Sequence, residues 1–323
     1  MAYTTTSSLD FAQTAYDRMA YFDLRPELYF DAAADIKPSA QSMPGASVVW
    51  TIVHDLAIAS SAINESTDVT PVAMSDSQVT VSLAEFGNAV NTTAKLRGEA
   101  FVEIDPVVAN AIGFNAGVSI DEVAKLILQA GTNVVYATGT GTLPTSRATV
   151  TSTNTILAAN IRYAKTFLRV NNVATFGGYY ICYINPNVSY DLTSETGEQS
   201  WRAPHDYSQP GEIWQGEVGA FEGFRFIETP RAPLFAAAGS GSPQINVFGT
   251  LCLGRQSLAK AHSYVDGNGP LPHVVPGPVT DFLRRFQPWG WYWLGNYGIF
   301  RQAALLRIES ASSVNVTEPT IDT

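Results

Sequence analysis

Between Ala46 and Gly87 the chain holds two strand-forming runs with almost nothing of their own to pack on. The first, ASVVWTIVHDL, is rich in β-branched residues. In the second, SQVTVSLAEFG, Val79, Val81 and Leu83 alternate with Thr80, Ser82 and Ala84, giving one apolar face and one small or polar face. The connection between them, AIASSAINESTDVTPVAMSD, is polar and contains Pro71. Loops of that length are uncommon in compact domains unless they serve a purpose. Two strands with a long tip predict a projecting hairpin. An isolated hairpin is marginal in water, so the segment from Val48 to Leu83 is expected to find its stabilising surface on an adjacent copy.

The rest of the chain mixes helices and strands. The opening SSLDFAQTAYDRMAYFDLRPELYFDAAADI has helical spacing broken at Pro26, and reads as an arm lying across something else. The clearest helical pattern follows Asp105-Pro106, an Ncap–N1 pair. Val107, Val108, Ala111 and Ile112 form one stripe, Ile120, Val123, Ala124 and Ile127 another, and Gly131 suits the stop. Gly113 and Gly117 leave open one long helix or two collinear ones. TILAANIRYAKTFLRVN predicts a second helix, capped by Asn154 or Thr155. YYICYINPN, GEVGAFEGFRFIETP and INVFGTLCLG read as strands, GRQSLAKAHSYV as a short helix, and WGWYWLGNYGIFRQAALLRIESAS as two strands. PLPHVVPGP is proline-dense and is expected to be an irregular crossing.

Charged residues make up 15% of the chain, against about 25% in ordinary soluble domains. Depletion of charge marks surfaces that other proteins cover, and also secreted β-rich domains. The formal charge of −10 argues against gripping a phosphate backbone, though not against enclosing DNA. No basic n-region with an apolar core opens the chain, and no apolar run approaches about 18 residues. The expectation is a chain made and used in a cytoplasm, without a membrane partner. Cys182 and Cys252 sit in apolar runs and read as small buried hydrophobes.

Catalytic sets are hard to assemble. Four glutamates, Glu212, Glu217, Glu222 and Glu228, fall in one glycine-rich stretch. On an extended strand Glu222 and Glu228 would stand about 20 Å apart, whereas glycosidase pairs need about 5–9.5 Å. Only a sharp fold-back would bring such carboxylates together. They are instead expected to be exposed, or to pair with Arg202, Arg225 and Arg231. No nucleophile elbow occurs, and His54-Asp55 and His205-Asp206 are adjacent pairs that point apart. No metal-ligand spacing or phosphate-binding glycine motif is complete, so no metal or cofactor is expected. Trp289, Trp291 and Trp293 share one strand face and read as core or subunit contact.

The order of segments resembles a known family. LRPELYFDAAADIKPSAQSMPGASVVW, then INESTDVTPVAMSDSQVTVSLAEFGNAV, then SIDEVAKLILQAGTNVVYA, GGYYICYINPNVSYDL and GEIWQGEVGAFEGFRFIETPRAP, look like the major capsid proteins of tailed bacteriophages, in the N-four-type branch of the Hong Kong 97 fold. The likeness runs from about Leu24 to Ser313. It implies an α+β fold with an N-terminal arm (1–40), an extended-loop hairpin (41–100), a peripheral domain with a long spine helix (101–154 and 276–313), an axial domain (155–275) and a C-terminal tail (314–323). It implies no enzyme but a subunit that self-assembles as hexamers and pentamers into an icosahedral shell in the host bacterial cytoplasm. That shell encloses double-stranded DNA without sequence-specific binding, and an acidic wall suits that task. Arg18, Arg25, Trp50, Glu65, Asp68, Trp201, Arg202 and Arg231 are the expected inter-subunit contacts. No charged helical segment of scaffolding length precedes the core, which leaves room for a separate scaffolding protein beside portal and decoration proteins. The competing readings are a carbohydrate-acting hydrolase using two of the glutamates and a β-rich tail or adhesion module using the tryptophan strand.

Overall fold

The computed structural model describes residues 28–35, 47–63, 65–66, 68–100, 104–195, 217–263, 269–279 and 281–314. In chain order, β1 (Ala34–Asp35), β2 (Ser47–Val53), β3 (Asp76–Ser82) and β4 (Ala84–Thr93) lead to α1 (Ala94–Glu99) and the 26-residue α2 (Ile104–Gln129). Next come β5 (Val134–Tyr136), α3 (Ala158–Val170), β6 (Tyr180–Ile184) and α4 (Pro186–Ser194). β7 (Glu217–Phe221), β8 (Phe224–Glu228), β9 (Leu234–Phe235), β10 (Val247–Leu253) and β11 (Leu258–His262) follow. β12 (His273–Pro276), β13 (Phe286–Ile299) and β14 (Leu305–Ser310) complete the described chain. Gly87–Gly117 and Pro272–Trp293 belong to one compact unit and the remaining described residues to a second.

The larger unit is built on a seven-stranded mixed sheet in the order β5-β14-β10-β6-β8-β7, with β9 also on β10. All seven residues of β10 and all six of β14 are buried; β10 reads as a mostly apolar run, while β14 also buries Arg307 and Glu309, which pair at 2.8 Å. α3 covers the sheet with Ile161, Ala164 and Leu168, all fully buried at helical spacing. Each fully buried Ile or Leu contributes about 1.5–3 kcal/mol before chain entropy is charged against it. Cys182 and Cys252 face one another across β6 and β10, with Sγ atoms 3.7 Å apart, and burial pushes the Cys182 thiol well up. Residues 305–310, expected with the peripheral domain, thus share a sheet with β6, β8 and β10.

Several local expectations are corrected. α2 is one uninterrupted helix already formed at Ile104, so Asp105 lies in its first turn and Gly113 and Gly117 do not break it. Its buried apolar positions are Ile112, Ala116, Ile120, Ala124 and Leu128, an i, i+4 ridge, beside the buried Asp121 and Lys125. α3 starts at Ala158, where the Asn160 side chain accepts from Leu157 N at 3.0 Å. Asn154 does not cap it. Its buried amide ties the preceding loop, accepting from Thr151 N at 2.8 Å and donating to the Thr138 and Thr142 carbonyls at 2.9 and 3.0 Å. Leu258–His262 is a buried strand and not a helix, since its neighbours β1 and β13 outweigh the helical propensity of Leu, Ala and Lys. His273–Pro276 is also a strand, on β13, with the proline at its end where no ladder bond is lost.

In the smaller unit β13 pairs with β12 and β4. A Cβ on Gly87 would lie 2.8 Å from the Trp291 carbonyl oxygen, so close approach of the two backbones requires glycine there. Trp291 is core, as its position on the strand suggested. Its indole N–H donates to Asn115 Oδ1 on α2 at 2.9 Å. No helix among the described residues is long and apolar enough to cross a membrane.

Candidate assembly surfaces

β2 and β3 pair in unbroken register from Ser47↔Ser82 to Val53↔Asp76. Alternation sends Val48 and Trp50 of β2, with Val81 of β3, to one face. That face does not wait for a second molecule. It packs on Ala259, Ala261 and Phe300 of the same chain, with the Trp50 ring edge-on to Phe300 at 6.4 Å. Val81 sits against Gly298, where a Cβ would come within 2.4 Å of its methyl, and Asn296 Nδ2 donates to Ser82 O at 3.0 Å. The base of the hairpin is therefore anchored at home, contrary to the expectation for the whole of Val48 to Leu83. Trp50 serves that anchor. Past Val53 the pattern inverts. Ile58 is 93% exposed, Ile63 75%, Val72 67% and Met74 70%. Glu65 and Asp68 stand exposed in the same tip, with Asp68 Oδ1 taking up Val69 N at 2.8 Å. The exposed apolar side chains of the tip thus contrast with the packed base.

Arg231 is mostly buried and acts inside the chain. Its Nη2 donates to Glu122 Oε2 at 2.9 Å and to Val118 O at 3.3 Å, and its Nε lies 3.5 Å from Asp121 Oδ2. Asp121 in turn accepts from the backbone N–H groups of Phe30 and Asp31 at 2.7 and 3.1 Å. Burial raises the Asp121 carboxyl above its ordinary value, opposed by those two N–H groups and by Arg231. Asp31 then meets Lys260, fully buried in β11, at 2.7 Å, and accepts from the Tyr297 hydroxyl. Phe30 itself is fully buried against Tyr183, ring centres 4.8 Å apart. Residues 28–35 are thus a strap held by polar and charged contacts at Phe30 and Asp31 and by pairing with β11 at Ala34 and Asp35. Sequence reading missed Asp121, Asp31 and Lys260, because partners separated by as much as 229 residues leave no local signal. Arg18, Arg25, Trp201 and Arg202 lie outside the described residues.

The glutamate stretch does fold back, which corrects its reading as one extended strand. Glu222 and Gly223, both at positive φ, turn β7 into β8. The fold-back makes no acid/base pair. Arg162 Nε and Lys165 Nζ hold the two Glu222 oxygens at 3.0 and 3.1 Å, and the hydrogen bond from Arg162 leads in lowering its carboxyl below the usual range. A general acid needs the opposite shift. With a depressed folded value, the Glu222 contribution is complete above its ordinary 4.5 and is lost as pH falls through the folded value. Glu222→Gln is expected to lower the melting temperature slightly near neutral pH, by less than about 1 kcal/mol in stability. The gap from the parent should close on acidification; a gap that is constant with pH would mean that the charge does not matter. No group of His, Cys, Asp or Glu suited to a metal ion occurs among the described residues.

The described elements are a mixed set of helices and sheets, and comparison with known proteins identifies their class. The capsid of Ralstonia phage GP4 matches 97% of this chain and 98% of its own at TM-score 0.72 and 14% identity. The cyanophage Pam1 capsid asymmetric unit matches 97% and 99% at 0.74 and 12%. The acidic stable capsid of Helicobacter pylori bacteriophage KHP30 matches 96% and 98% at 0.70 and 12%. The fold is the mixed α+β capsid fold of Hong Kong 97 type. Residues 5–314 match the phage capsid protein family, and the chain belongs to it. A search of curated proteins found no match. The chain is a major capsid protein, a structural component of a multimeric virion shell and not an enzyme; neither the hydrolase nor the adhesion reading finds support.

Proposed function

We propose that this chain tiles an icosahedral shell as hexamers and pentamers around the double-stranded DNA of a tailed phage, in the N-four-type branch of its fold. The observation that supports this best is the hairpin, anchored at its base by Trp50 and bare at its apolar tip. A rigid lever with an uncovered end suits repeated docking on neighbouring copies. Burial at about 25 cal/mol per Å² over several such contacts drives closure. In this reading the arm is 1–40, the extended loop 41–100 and the spine helix α2. The remainder divides into peripheral (101–154, 276–313) and axial (155–275) parts, with the tail at 314–323. Glu65 and Asp68, with Arg18, Arg25, Trp201 and Arg202, are the proposed contacts between copies, whereas Trp50 and Arg231 act within one. Assembly takes place in the host bacterial cytoplasm, with scaffolding, portal and decoration proteins as partners. Negative-stain microscopy of the expressed chain, alone and with its phage's scaffolding protein, should reveal closed particles, sheets or hexamers. A chain that stays monomeric at high concentration under both conditions would overturn the proposal.

A further inference from the structure

The chain is acidic overall, yet one end of its seven-stranded sheet is not. Arg162, Lys165 and Arg169 recur at i, i+3 and i+7 on α3, and so lie on one helix face. The Arg169 guanidinium is 5.8 Å from the centre of the Tyr180 ring, and that of Arg225, on β8, is 5.9 Å from Tyr179. Arg255 occupies the turn after β10, and its backbone N–H donates to Ala174 O at 2.9 Å, just past the end of α3. Tyr180 N donates to Gly223 O at 2.9 Å, and a Cβ on Gly254 would meet the Tyr180 ring at 3.4 Å. α3 and the turn after β10 therefore bring four cations, Arg162, Lys165, Arg169 and Arg255, to one sheet end, while Arg225 alternates with the buried Phe224 and Phe226 and so lies on the other face of the sheet. Arg169 and Arg255 are exposed, and Arg162 and Lys165 remain 34% and 38% exposed. Glu222 is shared by Arg162 and Lys165. Tyr163 and Tyr179 add exposed rings, at 55% and 43%, and Gly177 and Gly178 keep the adjoining loop free of bulk.

We infer that this sheet end is a seat for the phosphodiester backbone of the enclosed DNA. The inference rests on the reading that the shell contains DNA. Guanidinium and ammonium groups beside tyrosines neutralise phosphates without reading bases, and nothing in the patch has the form of a groove-reading element. Four cations against one carboxylate leave about three phosphates to be neutralised, a salt slope of roughly −3 for one subunit on duplex DNA. One subunit holds weakly. A shell repeats the seat many times, so the summed contact is firm while each contact stays exchangeable. The formal charge of −10 on the whole chain conceals this local excess.

The test is fluorescence anisotropy of the purified full-length chain with a short labelled duplex across a KCl series. Arg169→Gln with Arg255→Gln spares the Glu222 pair. It is expected to lose about tenfold in affinity at low salt and to flatten the slope by about two. Arg169→Lys with Arg255→Lys should keep both, and provides the readout if the glutamine variant melts abnormally. Absence of salt-dependent binding by the parent chain would overturn the inference, as would an unchanged slope in the glutamine variant. So would displacement by polyglutamate as readily as by unlabelled duplex, which would make an acidic protein the partner. Microscopy of the same variants keeps the two readings apart. Shells that form without the seat leave the shell proposal standing, and a parent chain that never assembles counts against that proposal and not against the seat.

Discussion

Removal of residues 60–75 is expected to leave a soluble, folded chain that forms no closed particles. The excised stretch is the distal part of the hairpin, and the structure shows what its loss costs the single molecule. Ile63, Val69, Val72 and Met74 are all more than half exposed, so deleting them uncovers no core. The register from Ser47↔Ser82 to Val53↔Asp76 and the Trp50–Phe300 contact lie outside the deletion, so the base keeps its anchor. Thermal melting of the shortened chain should therefore stay within a few degrees of the parent's. What goes is the bare apolar set and the carboxylates of Glu65 and Asp68. No Lys or Arg occurs between Lys37 and Lys95, so the tip is purely acidic as well as apolar and suits a basic, apolar acceptor. Microscopy after expression is the measurement. Intact shells from the deletion would show that the tip is not an assembly contact.

Arg231→Ala is expected to destabilise the isolated chain by about 3–5 kcal/mol, the usual result of stripping one partner from a buried ion pair. Asp121 would be left in a site where burial already disfavours its charge. Val118 O and Glu122 would lose their donor as well. Urea denaturation before any assembly gives the number, and faster hydrogen exchange at the Phe30 and Asp31 amides would trace the loss to the strap. Arg231→Lys keeps the charge without the two-pronged geometry and should fall between. Unaltered denaturation together with failed assembly would return Arg231 to the surface role that its sequence context suggested.

Much of the fold is legible wherever one face or both faces of an element are apolar. Val79 and Val81 mark β3 by alternation, and β10 announces itself by its largely apolar run. The helix α2 is legible despite its glycines, but of its expected stripes only Ile112, Ile120 and Ala124 are buried and Ala111 is exposed. The failures have a common physical source in long-range context. Ala259 and Lys260 favour a helix locally, but β1 and β13 flank them, and Asp31 supplies the carboxylate that lets a lysine be buried. His273–Pro276 has too many prolines nearby for a strand, until an edge position removes the need for its last N–H. α4 was hidden behind Asn185-Pro186, a start signal that reads equally as a turn. The turn at Glu222 places a non-glycine residue at positive φ, which composition cannot foretell. Of the expected contact residues, Glu65 and Asp68 are exposed, as a place at a loop tip implies. Trp50 and Arg231 were chosen for their type, and type does not distinguish a subunit seam from an interior clamp.

The two cysteines have a practical corollary. They are the chain's full complement of thiols, and both lie in the middle of the large sheet with no solvent access. A native subunit should therefore be blank to maleimide reagents, and slow labelling would clock the opening of that sheet. A cysteine introduced at Ile58 would be the one reactive position. From there a bifunctional reagent could tether each tongue to whatever lies beneath it in an assembled particle.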